Sequence, residues 1–537
     1  MQNNKIIKMR QCPILLTTIN ARYTHTSLAL RYLKANLQEM QDECEILEFN
    51  IIQGPMDMAQ SLLELNPKII AMSVYIWNYQ LFLEVAKILK KVAPHMILIL
   101  GGPEVSYDFK EDPLVELADY LIVGEGEISF YKLLLNLLNN NIENKFLPKV
   151  IPKVIVAETV NLDNIKMPYH LYSEEDIAHK ILYVEASRGC PFTCSFCLSS
   201  ISKCVREFSI SKFLQEMEIL WQRGGRTFKF IDRTFNLIYK NSEIILQFFL
   251  DKALKEGELQ SSKKNFFIHF EVVPDRFPTS LREILTKFPK NVLQLEIGVQ
   301  SLNKEALQNI NRSCNIEKAL ENLKFLRENT NALLHLDLIV GLPGEEERSF
   351  ARGFNEMIKI NPQEIQVGFL KQLRGAPLCS YESKDKDNFN FNFNFKLLFH
   401  SIPPYEIIQN SQLTFLDLQR IKKFARYFEI YYNQGKMRRS LSFLLKNTSS
   451  AYDSFMLFSN FIYARLKRTY QINFEEQLLI LYDYYNLLIK ESNCTNENNE
   501  NKFFPKKNSL DISEIKQNMR DDLLEHKIKR LPLFLRD

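Results

Sequence analysis

Three of the nine cysteines, Cys190, Cys194 and Cys197, stand close enough in the sequence to bind a metal ion or an iron–sulfur cluster. A structural zinc site takes four ligands, usually as two separated pairs, so zinc would need a further ligand such as Cys204. A [4Fe–4S] cube held by three thiolates keeps one iron without a protein ligand, and chemistry can occur there. Gly189 suits a loop that wraps tightly around a cube. The spacing favours a cluster with one open iron, and zinc is the alternative.

The composition is typical of a globular protein, with 46% apolar and 25% charged residues among 537. A chain of this length is expected to form two or three domains. The formal net charge is +4 and there is no basic block, so a nucleic-acid partner is not indicated. No signal peptide and no apolar run of about 18 residues occur, so we expect a cytoplasmic protein without a membrane span. In a reducing compartment, clustered cysteines are metal ligands more often than disulfides.

Short apolar runs alternate with helical patterns in the first part of the chain, which predicts an α/β domain with a parallel sheet. Five strands are predicted, at 13–19, 44–49, 69–74, 96–103 and 120–126. The pattern indicates a doubly wound, Rossmann-like domain over residues 1–140, whose ligand should lie beyond the carboxyl ends of the strands. Glycines stand at those ends, where backbone must approach something closely. They are Gly101, Gly102, Gly124 and Gly126.

The motifs that would name the ligand of this domain are missing. The Gly-x-Gly-x-x-Gly fingerprint of dinucleotide-binding domains does not occur there. Neither His25 nor His95 has the Asp-x-His-x-x-Gly neighbours of the histidine that ligates cobalt in some cobalamin domains. We interpret His25 as a satisfied polar residue rather than a ligand contact.

A second series of strands and helices follows a polar linker at 141–180. Its six strands are predicted at 183–187, 227–232, 266–273, 292–298, 335–342 and 364–370. Six units are fewer than a closed eight-unit barrel needs, so residues 181–378 are expected to form an open, partial (β/α)6 barrel, with the cysteines just past its first strand. Residues 379–537 are predicted to be a mostly helical accessory domain with a low-complexity insertion near 385–396. We also expect a short hairpin within the linker.

The cysteine spacing, with Phe196 before the last cysteine, resembles the signature of radical S-adenosylmethionine (SAM) enzymes. The domain order resembles the subgroup that carries a cobalamin-binding domain before the barrel. The resemblance implies that the open iron chelates SAM, and that electron transfer cleaves it to methionine and a 5′-deoxyadenosyl radical. An electron donor such as a flavodoxin or ferredoxin is implied as partner.

The same resemblance assigns further residues to cofactors. Phe196 would lie beside the adenine, and Glu271 is a SAM or substrate contact or else a member of a buried salt bridge. The other positions implied for SAM are Glu296, Gln300, Ser301, Arg312 and Gly341. Where the family often has a Gly-Gly-Glu segment this chain has Asp232-Arg-Thr-Phe-Asn, so Asp232, Thr234 or backbone must replace that contact. For cobalamin, the implied residues are Gly101, Gly102, Gly124, Glu125 and Gly126, with no protein imidazole as lower ligand.

Three functions remain open on the sequence. A cobalamin-dependent methyltransferase acting on an unactivated carbon is favoured. A methylthio-transferring, RNA-modifying enzyme normally needs three more cysteines before the barrel, and only Cys12 and Cys44 occur there. A non-catalytic metal- or cluster-binding protein is the third. The substrate is not readable from the sequence.

Overall fold

A computed structural model of the protein describes residues 12–138, 151–259, 266–382, 395–446, 448–494, 511–528 and 531–536. The predicted low-complexity insertion at 385–396 lies, except for its last two residues, outside the described residues. The chain divides into two compact units. The first unit comprises residues 1–270, 372–389 and 400–405, and the second comprises 271–371, 390–399 and 406–537.

The first unit begins with a parallel sheet of six strands in the order β2-β1-β3-β4-β5-β6. The strands are β1 Ile14–Asn20, β2 Cys44–Asn50, β3 Ile69–Ser73, β4 Ile97–Gly101, β5 Tyr120–Val123 and β6 Val154–Val156. The helices are Leu28–Ala35, Pro55–Glu64, Tyr79–Val92, Pro113–Leu117 and Gly126–Leu138, with short 3-10 turns at Gln38–Glu43 and Pro103–Val105. The predicted doubly wound sheet is confirmed, and β6 extends it by one strand.

Helices cover both faces of this sheet, which is why its central strands are continuous apolar runs rather than alternating ones. Every residue of β1 is buried. The cores on the two sides are separate, one containing Leu62, Phe82 and Leu89 and the other Leu30, Phe130 and Leu134. Ser27 and Asp112 start two of the helices by accepting hydrogen bonds from backbone N–H groups of the first turn.

The linker departs from the prediction. In its described part, residues 151–180, there is no hairpin; β6 pairs instead with β5 in parallel. The rest forms 3-10 turns at Leu162–Asn164 and Tyr169–Leu171 and a helix at Glu174–His179. Tyr169 and Tyr172 are fully buried, so this segment is packed structure. Its apolar residues were too widely spaced to show a period in the sequence.

A second sheet has six strands in chain order, β12-β11-β10-β9-β8-β7. The strands are β7 Leu182–Val184, β8 Thr227–Phe230, β9 Phe267–Val272, β10 Leu293–Gln300, β11 Leu333–Val340 and β12 Glu364–Phe369. The intervening helices are Ile210–Gln222, Tyr239–Leu259, Thr279–Leu285, Lys304–Asn309, Ile316–Asn329 and Glu347–Ile360. The number and order of strands are those of the predicted open barrel. Along β10 and β11 buried and half-buried residues alternate, so each strand has one apolar and one polar face.

The second unit continues as a helical region. Its helices are Phe415–Phe428, Ser442–Leu445, Ala451–Leu466, Phe474–Cys494 and Ile512–Glu525, with a π-helical turn at Glu429–Asn433. Phe354, on the helix Glu347–Ile360, packs edge-on against Phe424 and Tyr452 at centroid distances of 5.2 and 5.9 Å. The predicted helical C-terminal region is thereby confirmed. A short antiparallel pair, Leu398–Phe399 with Ile407–Gln409, precedes it. Of the helices described, none is long and apolar enough to cross a membrane.

Candidate active site

The three clustered cysteines lie on a loop of the first unit that a short antiparallel ribbon closes. Ser187–Arg188 pairs with Arg206–Glu207 at the base of the loop, and the backbone N–H of Cys190 donates to the carbonyl of Ser202 at 3.1 Å. Gly189 has φ of +97°, and a Cβ there would lie 2.1 Å from the backbone oxygen of Cys204. Only glycine allows this approach, as the sequence suggested.

Burial of the three thiols suits a cluster shielded from solvent. Cys190 and Cys194 are buried and Cys197 is half-buried, and none is in a disulfide. A hydrogen bond fixes the backbone at the last of the three cysteines, because the hydroxyl of Ser200 donates to the carbonyl of Cys197 at 2.6 Å. Within the described chain, no three His, Cys, Asp or Glu side chains converge as the ligands of one metal ion would. In a cube each thiolate binds its own iron, so three soft donors on one loop fit a cluster better than a zinc ion.

Asp232 closes the start of the cysteine loop from the end of β8. Its carboxylate accepts hydrogen bonds from the backbone N–H of Ala186 at 3.0 Å and from the hydroxyl of Ser187 at 2.6 Å. Burial raises the pKa of Asp232 to about 7, although both of these donors act to lower it. Both oxygens are therefore used by the chain itself. The buried Thr234 and half-buried Phe196 lie in the same unit, and their assignment to SAM stays a prediction.

The glycines predicted for cobalamin stand at the carboxyl ends of β4 and β5. Gly102 has φ of +108°, and a Cβ there would lie 2.4 Å from the carbonyl oxygen of Val74. The absence of a side chain at Gly102 therefore allows the ends of β3 and β4 to lie this close together. Gly101, Gly124 and Gly126 have more room. The predicted ligand role of these four residues remains a prediction.

Glu125 is held by arginines of the cysteine loop. Its carboxylate pairs with Arg206 and accepts from the backbone N–H of Val160 at 3.1 Å. Burial would raise the pKa of Glu125, but these two hydrogen bonds and Arg188 hold it below its usual value. The sequence placed Glu125 at the cobalamin site and did not connect it with the cysteines.

An apolar edge that the sequence did not single out follows β1, β2 and β3. Trp77 is 49% exposed and stacks on Tyr75 with the ring centroids 4.5 Å apart. Its indole N–H donates to the carbonyl of Ile19 at 3.0 Å, which fixes the ring. Further exposed apolar side chains after these strands are Tyr23, Ile51, Ile52 and Met56. A tryptophan three residues after a predicted strand was the signal available in the sequence.

His25 makes a polar contact within the protein, as predicted. Its Nδ1 lies 2.6 Å from the hydroxyl of Tyr183, and burial together with Arg22 and Lys229 lowers its pKa. The interpretation as a satisfied polar residue is confirmed.

In the second unit, the ends of β10 and β11 come together through residues predicted for SAM. Gln300 has φ of +68° beside an irregularity in the β10–β11 register. Arg312 donates to the carbonyl of Gly298, and Ser301 donates to Glu345 at 2.5 Å. The carbonyl of Gly341 accepts from Asn410 at 3.2 Å.

Glu345 is a residue that the sequence analysis did not single out. It is 2% exposed, and burial raises its pKa to about 7 despite the Ser301 hydroxyl and Arg352. Its Oε1 accepts from Ser301, whereas Oε2 has no hydrogen-bond partner among the described protein atoms. A buried acceptor of this kind is costly unless something donates to it.

Two other predicted residues occupy different surroundings. Glu296 lies opposite His335 in the register of β10 and β11. Burial lowers the pKa of His335, but Asp337, Glu296 and Glu364 outweigh it and raise the value to about 9. Glu296 thus belongs to a charge cluster on the polar face of the sheet. Glu271 is half-buried near the end of β9.

Three family models match the chain in sequence. A B12 binding domain matches residues 14–134, the Radical SAM superfamily matches 184–355, and a protein of unknown function (DUF4080) matches 393–537. The chain thus contains a B12-binding domain and a radical SAM domain. The predicted family and fold are confirmed, and the two domains imply a [4Fe–4S] cluster, SAM and cobalamin as cofactors.

Known relatives of the chain include the cobalamin-dependent radical SAM methyltransferase TokK of Streptomyces tokunonensis. It is 27% identical over 357 residues, which are 60% of this chain and 49% of TokK. Ribosomal protein uS12 methylthiotransferase RimO of Natranaerobius thermophilus is 28% identical over 210 residues, 38% of this chain and 45% of RimO. The chain spans about half the length of the curated relatives it matches.

A solved structure shares the fold over nearly the whole length. The cobalamin-dependent SAM radical enzyme OxsB, with aqua-cobalamin and SAM bound, aligns with a TM-score of 0.57 and 14% identity. The alignment covers 97% of this chain and 80% of OxsB. It therefore extends beyond the two named domains into the helical C-terminal region.

Proposed function

We propose that this protein is a cobalamin-dependent radical SAM enzyme that transfers a methyl group to an unactivated carbon of its substrate. The observation that carries the proposal is the loop with Cys190, Cys194 and Cys197, shaped by Gly189 and joined in one unit to the glycine-ended edge of the B12-binding domain. When bound, the cluster and SAM supply a radical that abstracts hydrogen, and cobalamin supplies a methyl carrier. The protein's own part is to bind, orient and shield these groups.

The chain's residues support cobalamin binding by their chemistry. The edge after β1, β2 and β3 exposes Trp77 and other apolar side chains, a feature that in soluble proteins marks a ligand or partner site. A corrin ring offers a broad face to such an edge. Gly101 ends β4 and Gly124 directly follows β5, and neither of these residues has a side chain that would keep a ligand from the backbone.

The residues at the ends of β10 and β11 support SAM binding. The hydroxyl of Ser301 donates to Oε1 of the buried Glu345, and the free lone pairs of Glu345 Oε2 would accept a hydrogen bond from an amine or hydroxyl group of the ligand. We propose that Gln300, Arg312 and Gly341 contact SAM at this segment, the role that the family resemblance implies for these positions.

The methylthiotransferase alternative is less well supported. Cys12 and Cys44, which would be needed for a second cluster, are buried, and burial raises the pKa of both thiols. Cys44 also lies within the core that contains Leu30 and Phe130, and two cysteines are one fewer than such a second cluster normally takes.

Incubation of anaerobically reconstituted protein with SAM and a strong reductant tests the enzyme against a merely cluster-binding protein. We expect 5′-deoxyadenosine to form in the wild type and to be abolished in Cys194→Ala. Cys204→Ala is the matched control, because Cys204 is exposed on the same loop, and it should keep both its iron and its activity. A wild type that binds about four irons but forms no 5′-deoxyadenosine would refute the enzyme proposal. Loss of metal in Cys204→Ala would instead support zinc.

The substrate class is to be found by comparing small metabolites and modified nucleosides between a deletion strain and its parent. A methylated compound that is absent from the deletion strain would support methyl transfer. A missing methylthiolated nucleoside would favour the alternative.

A further inference from the structure

Two arginines at the base of the cysteine loop bind the turn that follows β5. Arg188 directly precedes Gly189, and Arg206 lies opposite it in the ribbon that closes the loop. Arg188 Nη2 lies 2.7 Å from a carboxylate oxygen of Glu127, and Arg206 pairs with Glu125. These two glutamates flank Gly126. The turn proposed to contact cobalamin is therefore tied at both of its sides to the loop proposed to hold the cluster.

The surroundings of Arg188 make this connection rigid. Its guanidinium also pairs with Glu185 at 2.8 Å and lies over the ring of Tyr32, 4.7 Å from the centroid. The side chains of Glu127 and Glu185 are each 7% exposed. Leaving a buried carboxylate without its charged partner is strongly unfavourable, so Glu127 and Glu185 stay bound to the arginine.

Arg206 adds a second anchor with a different geometry. It donates to the carbonyl of Val160 at 2.6 Å as well as binding Glu125. Glu125 in turn accepts from the backbone N–H of Val160. The segment after β6, the turn after β5 and the cysteine ribbon thus share one hydrogen-bonded network.

We infer that Arg188 and Arg206 couple the two cofactor sites, so that filling one site strengthens binding at the other. A ligand that fixes the turn at Gly124–Gly126 also fixes Glu125 and Glu127, and through them both arginines and the base of the cysteine loop. A cluster that fixes the loop strengthens ligand binding at the turn in the same way, because coupling between two sites is reciprocal. This inference rests on the proposed function, and Arg188 and Arg206 act as positioning residues.

Hydroxocobalamin titrations of the full-length protein test the coupling. The dissociation constant is measured twice, once with the cluster reconstituted and once after the iron has been removed by a chelator. In the wild type we expect tighter binding with the cluster present, by roughly 5-fold or more. Arg206→Gln should move the ratio of the two constants measurably toward one, with the remaining coupling carried by Arg188 and Glu127. Glu125→Gln should do the same, and the double variant should change nothing further, as expected for one shared interaction.

Arg223→Gln is the matched control. Arg223 is 27% exposed, similar to Arg206 at 23%, and it binds Glu174 and a backbone carbonyl in the same unit. It should keep the wild-type ratio. A ratio of one in the wild type, or an unchanged ratio in Arg206→Gln, would overturn the inference and leave the proposed function standing. Absence of bound cluster or corrin from the wild type would be a failure of the proposed function, visible in the absorption spectrum before any ratio is measured.

Discussion

Asp232 in the first unit and Glu345 in the second are both buried carboxyl groups beyond the end of a strand, and burial raises the pKa of each to about 7. They differ in their partners. Asp232 accepts hydrogen bonds on both oxygens from Ala186 and Ser187, whereas Glu345 accepts one from Ser301 and has an oxygen with no protein donor among the described residues. The first carboxyl completes the protein's own structure, and the second keeps an acceptor oxygen that we propose a ligand fills.

Replacing Gly189 by alanine should have the largest effect, because it acts on the loop that Asp232 closes. The new Cβ would meet the backbone oxygen of Cys204 at 2.1 Å in a left-handed conformation. We expect loss of most of the bound iron, measured per chain after reconstitution, with the helical region of the second unit still folded by circular dichroism. Gly435→Ala is the control, since Gly435 also has positive φ but nothing within 4 Å. It should keep its iron. Equal iron in both variants would contradict the described loop geometry.

Glu345→Gln should act on ligand binding without affecting the cluster. An amide nitrogen placed at Oε2 cannot accept a hydrogen bond, so we expect SAM to bind roughly 10- to 100-fold more weakly by equilibrium dialysis. The neighbouring Glu346 is exposed, and Glu346→Gln should bind SAM like the wild type. If Glu345→Gln kept full affinity, the two carboxyl groups would both be structural and the comparison would fail.

Asp232→Asn should change the pH dependence of stability. The pKa of Asp232 rises from 3.8 in the unfolded chain to about 7 in the fold, so its favourable contribution is present below pH 3.8 and is lost as pH rises through 7. The asparagine variant does not ionise. We therefore expect its thermal midpoint, relative to the wild type, to increase by a few degrees between pH 6 and pH 8. A difference that does not vary with pH would show that Asp232 has an ordinary pKa.

The smallest effect is expected at Trp77, on the open edge of the first unit. The chain has two tryptophans, and the other, Trp221, packs against Phe266. Cobalamin should quench the fluorescence of the wild type, and Trp77→Phe should lose most of that quenching with a change in affinity of only a few-fold. Trp221→Phe, as control, should keep it. Quenching that survives in Trp77→Phe would place the corrin elsewhere.

The sequence predicted local features well and long-range contacts poorly. The cysteines, the glycine turns and both series of strands follow from spacing and periodicity within short windows. The partners of Asp232 and Glu345 lie 46 and 44 residues away, so no local pattern could show which carboxyl would be satisfied. The arginine network at Glu125 was missed for the same reason. Helical periodicity was enough to predict the C-terminal helices, but their aromatic packing holds no group that would reveal a reaction.

The iron and corrin content of protein purified anaerobically from cells supplied with cobalamin shows whether one chain holds both a cluster and cobalamin. We predict about four irons and one cobalamin per chain, with the absorption bands of both cofactors. Iron bound at that level with no corrin would contradict this prediction.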